Sequence, residues 1–74
     1  MSKRELGELQ LRLSENVRYL RGQRGLSQER LALEAGVDRT LVSKIERVIA
    51  NPTLEVLVKL AIVLQVPVVR LLKK

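Results

Sequence analysis

The chain has 74 residues, which suits one small domain over residues 1–74 and no more. It contains neither Cys nor His, so there is no disulfide framework, no thiolate metal site and none of the commonest general base; no enzyme activity, metal or cofactor is expected. Net charge is +6, from 14 Lys+Arg against 8 Asp+Glu, which points to a polyanionic partner, although charge also serves solubility alone.

The elements run as follows. Ser2 and Glu5 have the spacing of a capping box, and Leu6, Leu9, Leu13, Val17 and Leu20 recur at three or four residues. This predicts one long first helix, about Ser2 to Gln23, closed by Gly25. Gly7 weakens it by roughly 1 kcal/mol relative to Ala, so the alternative is an arm over residues 1–8 and a helix beginning near Leu9. Arg18 and Arg24 read as solvated charges. Glu5, Glu8 and Glu15 are dispersed on this helix with no apolar pocket to tune them. Tyr19 is the one aromatic residue, which disfavours stacking on single strands.

Ser27 is the next N-cap, followed by a helix over Gln28–Glu34 with Leu31, Ala32 and Ala35 on one face. Gly36 breaks it, Val37 turns toward a core, and Asp38 caps a third helix over Arg39–Arg47. Leu41, Val42 and Ile45 form the buried stripe of that helix. Arg39, Thr40, Ser43, Lys44 and Arg47 are left on its outer face. Small Ala32 allows two helices to cross closely over a short turn. Asn51, Pro52 and Thr53 make a turn and helix start, the fourth helix runs from Leu54 to Leu64, and Pro67 opens a short last helix, Val68 to Leu72, as its first residue. The expected fold is an all-α, five-helix bundle with a helix-turn-helix and no strand.

The run G-L-S-Q-E-R-L-A-L-E-A-G-V-D-R-T-L-V-S-K-I-E, continuing to N-P-T-L-E-V-L-V-K-L-A-I-V-L, resembles the Xre family, to which lambda-type phage repressor and Cro proteins belong. The resemblance spans roughly Leu13 to Leu72. It implies a lambda-repressor-like DNA-binding domain whose third helix enters the major groove, with base contacts from Arg39, Thr40, Ser43 and Lys44 and at Asp38, where capping alone is the simpler role. It also implies that Gln28 bonds a phosphate at the start of the second helix, with Ser27 beside it and Arg47 within reach of the backbone. An Arg of the first helix binds a Glu of the third in this family, which here means Arg21 and Glu46. Two departures stand out. Val48 replaces a glycine after the third helix, and a β-branched residue resists positive φ, so that helix is expected to end differently or run on. The loop Val48-Ile49-Ala50 offers no side-chain donor to phosphate.

The fourth helix is apolar nearly all round. Leu54, Leu57, Leu60, Ala61 and Leu64 make the stripe that packs on the helix-turn-helix, with Val58 and Ile62 on one flank and Val56 and Val63 on the other. Either the long first helix covers the surplus, or Ile49, Val58, Ile62 and Val69 form a two-fold interface. The resulting expectation is a homodimeric, sequence-specific regulator of double-stranded DNA acting on a pseudo-palindromic operator. Small phage repressors, restriction–modification controller proteins and antitoxins that also bind a toxin are relatives of suitable size. A helical protein–protein interaction module is the rival from another class; charged Arg39 and Lys44 argue against it, since an interaction groove prefers apolar anchors. No membrane and no small-molecule ligand is expected, and with no signal peptide or spanning segment the cytoplasm is the expected compartment.

Overall fold

Residues 2–74 are described by a computed structural model. Ser2 accepts a bond from the backbone of Glu5 at 3.1 Å and Glu5 reaches back to the Ser2 amide at 3.3 Å, so the capping box closes and the first helix, α1 (Lys3–Gln23), is continuous through Gly7. Next come α2 (Gln28–Ala35), α3 (Arg39–Glu46) and α4 (Leu54–Leu64), capped by Ser27, Asp38 and Thr53, each accepting from an amide of its own first turn. The final segment, Val68–Leu72, is a 3-10 helix. The fold is therefore four α-helices and a 3-10 turn, not a five-helix bundle. Pro67 is extended and precedes the segment as its N-cap instead of being its first residue. Five residues with two valines at the start are too short to gain from α geometry, and bonds such as Arg70 N to Pro67 O at 2.9 Å close the tighter turns instead.

Each of the five elements sends one fully buried residue to a common centre: Val17, Leu31, Val42, Leu60 and Leu71 are all 0% exposed. Leu13, Ala32, Ile45, Ala50, Leu57, Ala61 and Leu64 complete the core around them. Two expected core residues fall short: Leu41 is half-buried at the edge of the core, and Leu54 lies outside it. Leu54 shares the inner face of α4 but lies on its first turn, beside the exposed Asn51 and Thr53, where the helix projects past the core; it is 74% exposed.

Polar residues of α1 tie the bundle together over long sequence separations. Gln10 donates to Ala50 O at 2.9 Å and Ser14 to Glu46 O at 2.7 Å. Asn16 donates to Leu71 O at 2.9 Å and Lys73 O at 2.8 Å and accepts from Arg70 at 2.7 Å, which fastens the 3-10 helix to α1. The bonds to Glu46 O and Leu71 O satisfy carbonyls at the ends of α3 and the 3-10 helix, and the bond from Gln10 holds the loop that follows α3. Among the described residues, no helix is long and apolar enough to cross a membrane.

The end of α3 overturns an expectation. Val48 does adopt positive φ, at 63°, and the helix closes as a glycine would close it, with Ile49 N bonded to Lys44 O and Val48 N to Ile45 O, both at 3.0 Å. Tertiary anchoring explains this: Ser14 holds the Glu46 carbonyl on one side of Val48 and Gln10 holds the Ala50 carbonyl on the other, so the chain between them must turn. A left-handed conformation costs an ordinary L-residue about 1–2 kcal/mol, and a β-branched one no less. Val48→Gly is expected to recover that strain, less about 0.4–1 kcal/mol for a freer unfolded chain, and so to raise the melting temperature by a few degrees. An equal or lower melting temperature in thermal denaturation would contradict the strain.

Candidate nucleic-acid interface

The helix-turn-helix is built by three local features. Gly36 has φ +70, and a Cβ there would meet no atom within 4 Å, so conformation and not room calls for glycine. Val37 N then bonds Ala32 O at 3.0 Å and turns the chain toward α3. Ala32, 1% exposed, keeps the helix crossing close. Asp38 accepts from the Thr40 amide at 2.8 Å and from the Thr40 hydroxyl at 2.7 Å. The hydroxyl bond, then the amide bond, with smaller help from the Lys44 and Arg39 charges, hold the Asp38 carboxyl below its ordinary range. Asp38 is thus a charged cap at the positive end of α3.

Arg39, Thr40, Lys44 and Arg47 are exposed and Ser43 is half-buried. At 3.6 residues per turn the five fall within an arc of about 140° on one side of α3. Gln28, Glu29, Arg39, Thr40 and Ser43 line one shallow depression between α2 and α3. Lys44 and Arg47 lie further along α3, and Ser27 stands at the start of α2, its hydroxyl oxygen bonded to the Arg30 amide at 3.0 Å.

Behind this face, α3 is held through one carboxylate. Arg21 donates Nε to Glu46 Oε2 at 2.7 Å and Nη2 to Oε1 at 3.0 Å, and its Nη1 bonds Leu26 O at 2.9 Å. Gln28 donates to Glu46 Oε1 at 3.0 Å, so its side-chain amide is engaged with α3. Glu46 is 4% exposed. Burial pushes its carboxyl up, but the bonds from Arg21 and Gln28, with the charges of Arg21 and Arg18, outweigh burial and keep it below the usual range. The Glu46 bond in turn raises the Arg21 guanidinium against its own burial.

Three residues of this arrangement escape a reading by apolar periodicity. Ser14 is buried and joined to α3. Arg18, expected to be merely solvated, donates Nη2 to Glu46 O at 3.0 Å while most of its side chain stays in water. Glu29 enters the depression beside Arg39. A signal did exist for the first two: Gln10, Ser14, Arg18 and Arg21 recur at three or four residues, a polar stripe alongside the apolar one.

Ile49, Val58, Ile62 and Val69 do not line this depression, and all are exposed. Val58 and Ile62 lie one turn apart on the outside of α4, and exposed Leu54, at the edge of the inner face, adds a third apolar side chain at the start of the helix. The α1 helix does not cover them. Its Leu6 and Leu9 lie instead beside Leu13, Pro52, Leu57 and Leu72.

A polar helix presented to solvent, set across a second helix of equal length by a glycine turn and clamped from behind, is the architecture of a helix-turn-helix. The helix-turn-helix family signature matches residues 17–71, and the chain belongs to this family, the Xre-type DNA-binding transcription regulators. The control protein C.SmaI of Serratia marcescens is 44% identical over 62 residues, 84% of this chain and 74% of that protein. The hypothetical transcription factor NHTF from Neisseria matches with a TM-score of 0.85 at 42% identity, over 88% of this chain and 75% of that one. The restriction-modification controller protein C.AhdI from Aeromonas hydrophila matches with a TM-score of 0.80 at 37% identity, over 84% of this chain and 94% of that one.

Proposed function

We propose that this protein is a homodimeric regulator that reads a specific, pseudo-palindromic sequence of double-stranded DNA, in the manner of a restriction–modification controller. The observation that carries the reading is the outer face of α3. Arg39, Thr40, Ser43 and Lys44 supply the donors and acceptors that match base edges, and Arg47 extends the face with a further cation. The major groove admits a helix of this size, while Ser27, Gln28 and the free amides at the start of α2 suit a phosphate. The side-chain bond from Gln28 to Glu46 adds a second purpose: phosphate contact and clamping of α3 meet in one residue. Regulation by occupancy asks no catalytic group, and its natural place is the cytoplasm, where the chromosome lies.

Selection of bound sequences from a random duplex pool tests the proposal, and recovery of a two-fold symmetric motif is the expected result. On that operator, Arg39→Ala and Lys44→Ala are each expected to weaken binding by roughly 1–3 kcal/mol and to relax discrimination at one base position, with the fold unchanged by circular dichroism. Unaltered operator affinity in both variants at fixed salt would remove α3 from the groove.

A further inference from the structure

Glu29, the second residue of α2, is the one acidic side chain in the depression it shares with Gln28, Arg39, Thr40 and Ser43. Its Oε2 lies 3.5 Å from Arg39 Nη1, and both side chains are about three-quarters exposed. A pair this exposed contributes little to folding, because both charges keep their water and lose rotamer freedom. An anion at this place also opposes the approach of phosphate, which dominates sequence-independent affinity. Its position in the first turn of α2 suits the helix dipole, the purely structural alternative.

Its partner gives Glu29 a second use. Arg39 has no other bonded partner among the described residues, and with Nη1 held by Glu29 its Nε and Nη2 remain as a fork of two donors. Such a fork matches guanine O6 and N7. A long Arg side chain otherwise loses rotamer freedom at the moment of binding, and a carboxylate that holds it beforehand lowers that cost. We propose that Glu29 is a specificity-determining residue of this face: it orders Arg39 for a guanine edge and repels the phosphate that would otherwise capture the same guanidinium. The inference rests on the placement of α3 in the major groove proposed above.

The test compares affinities for the selected operator and for a scrambled duplex of equal length, at one salt concentration, in the unmodified protein, Glu29→Gln, Arg39→Ala and the double variant. Glu29→Gln is expected to bind the scrambled duplex about two- to five-fold tighter without gain on the operator, so that the ratio of the two falls by that factor. In the Arg39→Ala background the same change should leave the ratio unaltered. A ratio unchanged by Glu29→Gln, with or without a lower melting temperature, overturns the inference and leaves Glu29 as a dipole residue. An equal fall in the Arg39→Ala background overturns it too, since Glu29 would then act without Arg39. Failure of the unmodified protein to prefer the operator would instead overturn the groove placement itself, so the two failures are told apart.

Discussion

Glu46→Ala is expected to destabilise the protein by roughly 3–5 kcal/mol, the cost of leaving one member of a buried ion pair uncompensated. The substitution strips Arg21 of two bonds and Gln28 of its acceptor, while Leu26 O alone remains to the guanidinium. Small domains have total stabilities of about 5–15 kcal/mol, so the loss is a large share, and the melting temperature should fall by more than about ten degrees. Arg21→Ala should cost a similar amount, and a double-mutant cycle should return strong coupling; coupling near zero would show two independent charges. The carboxyl also predicts an acid limb. Its folded pKa lies below its unfolded one, so its contribution is complete above the ordinary carboxylate value of 4.5 and is lost as pH falls through the depressed folded value. Glu46→Gln should therefore flatten the decline of stability on the acid side of that value. An unchanged slope in urea melts across that range would separate Glu46 from acid unfolding.

Ile62→Glu is expected to convert a dimer into a monomer and to weaken operator binding by roughly 10²-fold or more, the loss of one linked half-site. Leu54, Ile62 and Val69, on α4 and the 3-10 helix, are 74%, 70% and 73% exposed. An apolar patch of this kind is rare on a free monomer surface. In a two-fold interface the same patch meets itself, so one added carboxylate places two like charges near the axis. The symmetry would set two copies of α3 about 34 Å apart, one turn of DNA. Val69→Glu should behave as Ile62→Glu does. Leu33→Glu, at another exposed apolar position on α2, should leave the dimer intact. Sedimentation of the unmodified protein as a monomer at micromolar concentration would remove this interface.

The parts of the fold that depend on neighbours in sequence are legible in the sequence itself. Ser2, Ser27, Asp38 and Thr53 read as caps because a cap needs only the next three residues, and each accepts the amide expected of it. Gly36 reads as the turn for the same reason. The features that periodicity misses are decided by distant partners. Ser14 and Asn16 look like solvated helix residues until carbonyls 32 and 55 residues away arrive beside them. The left-handed Val48 is local propensity overruled by bonds on either side, and Leu54 belongs to the inner stripe by angle but not by depth. Arg21 and Glu46, 25 residues apart, are paired by no periodicity; only the family resemblance joins them.

The ties made by α1 set an order of events in folding. The turn between α2 and α3 closes within a few residues and can form in microseconds, whereas α1 reaches Glu46, Ala50 and Leu71 across 32, 40 and 55 residues. Closing loops of that length loses chain entropy before any bond is gained. The DNA-reading unit is therefore quick to assemble but rigid only after its slowest contacts are made. A fragment holding α2 and α3 alone would retain the residues proposed to face a base pair while lacking Arg21, Ser14 and Arg18, the side chains that hold α3 from behind.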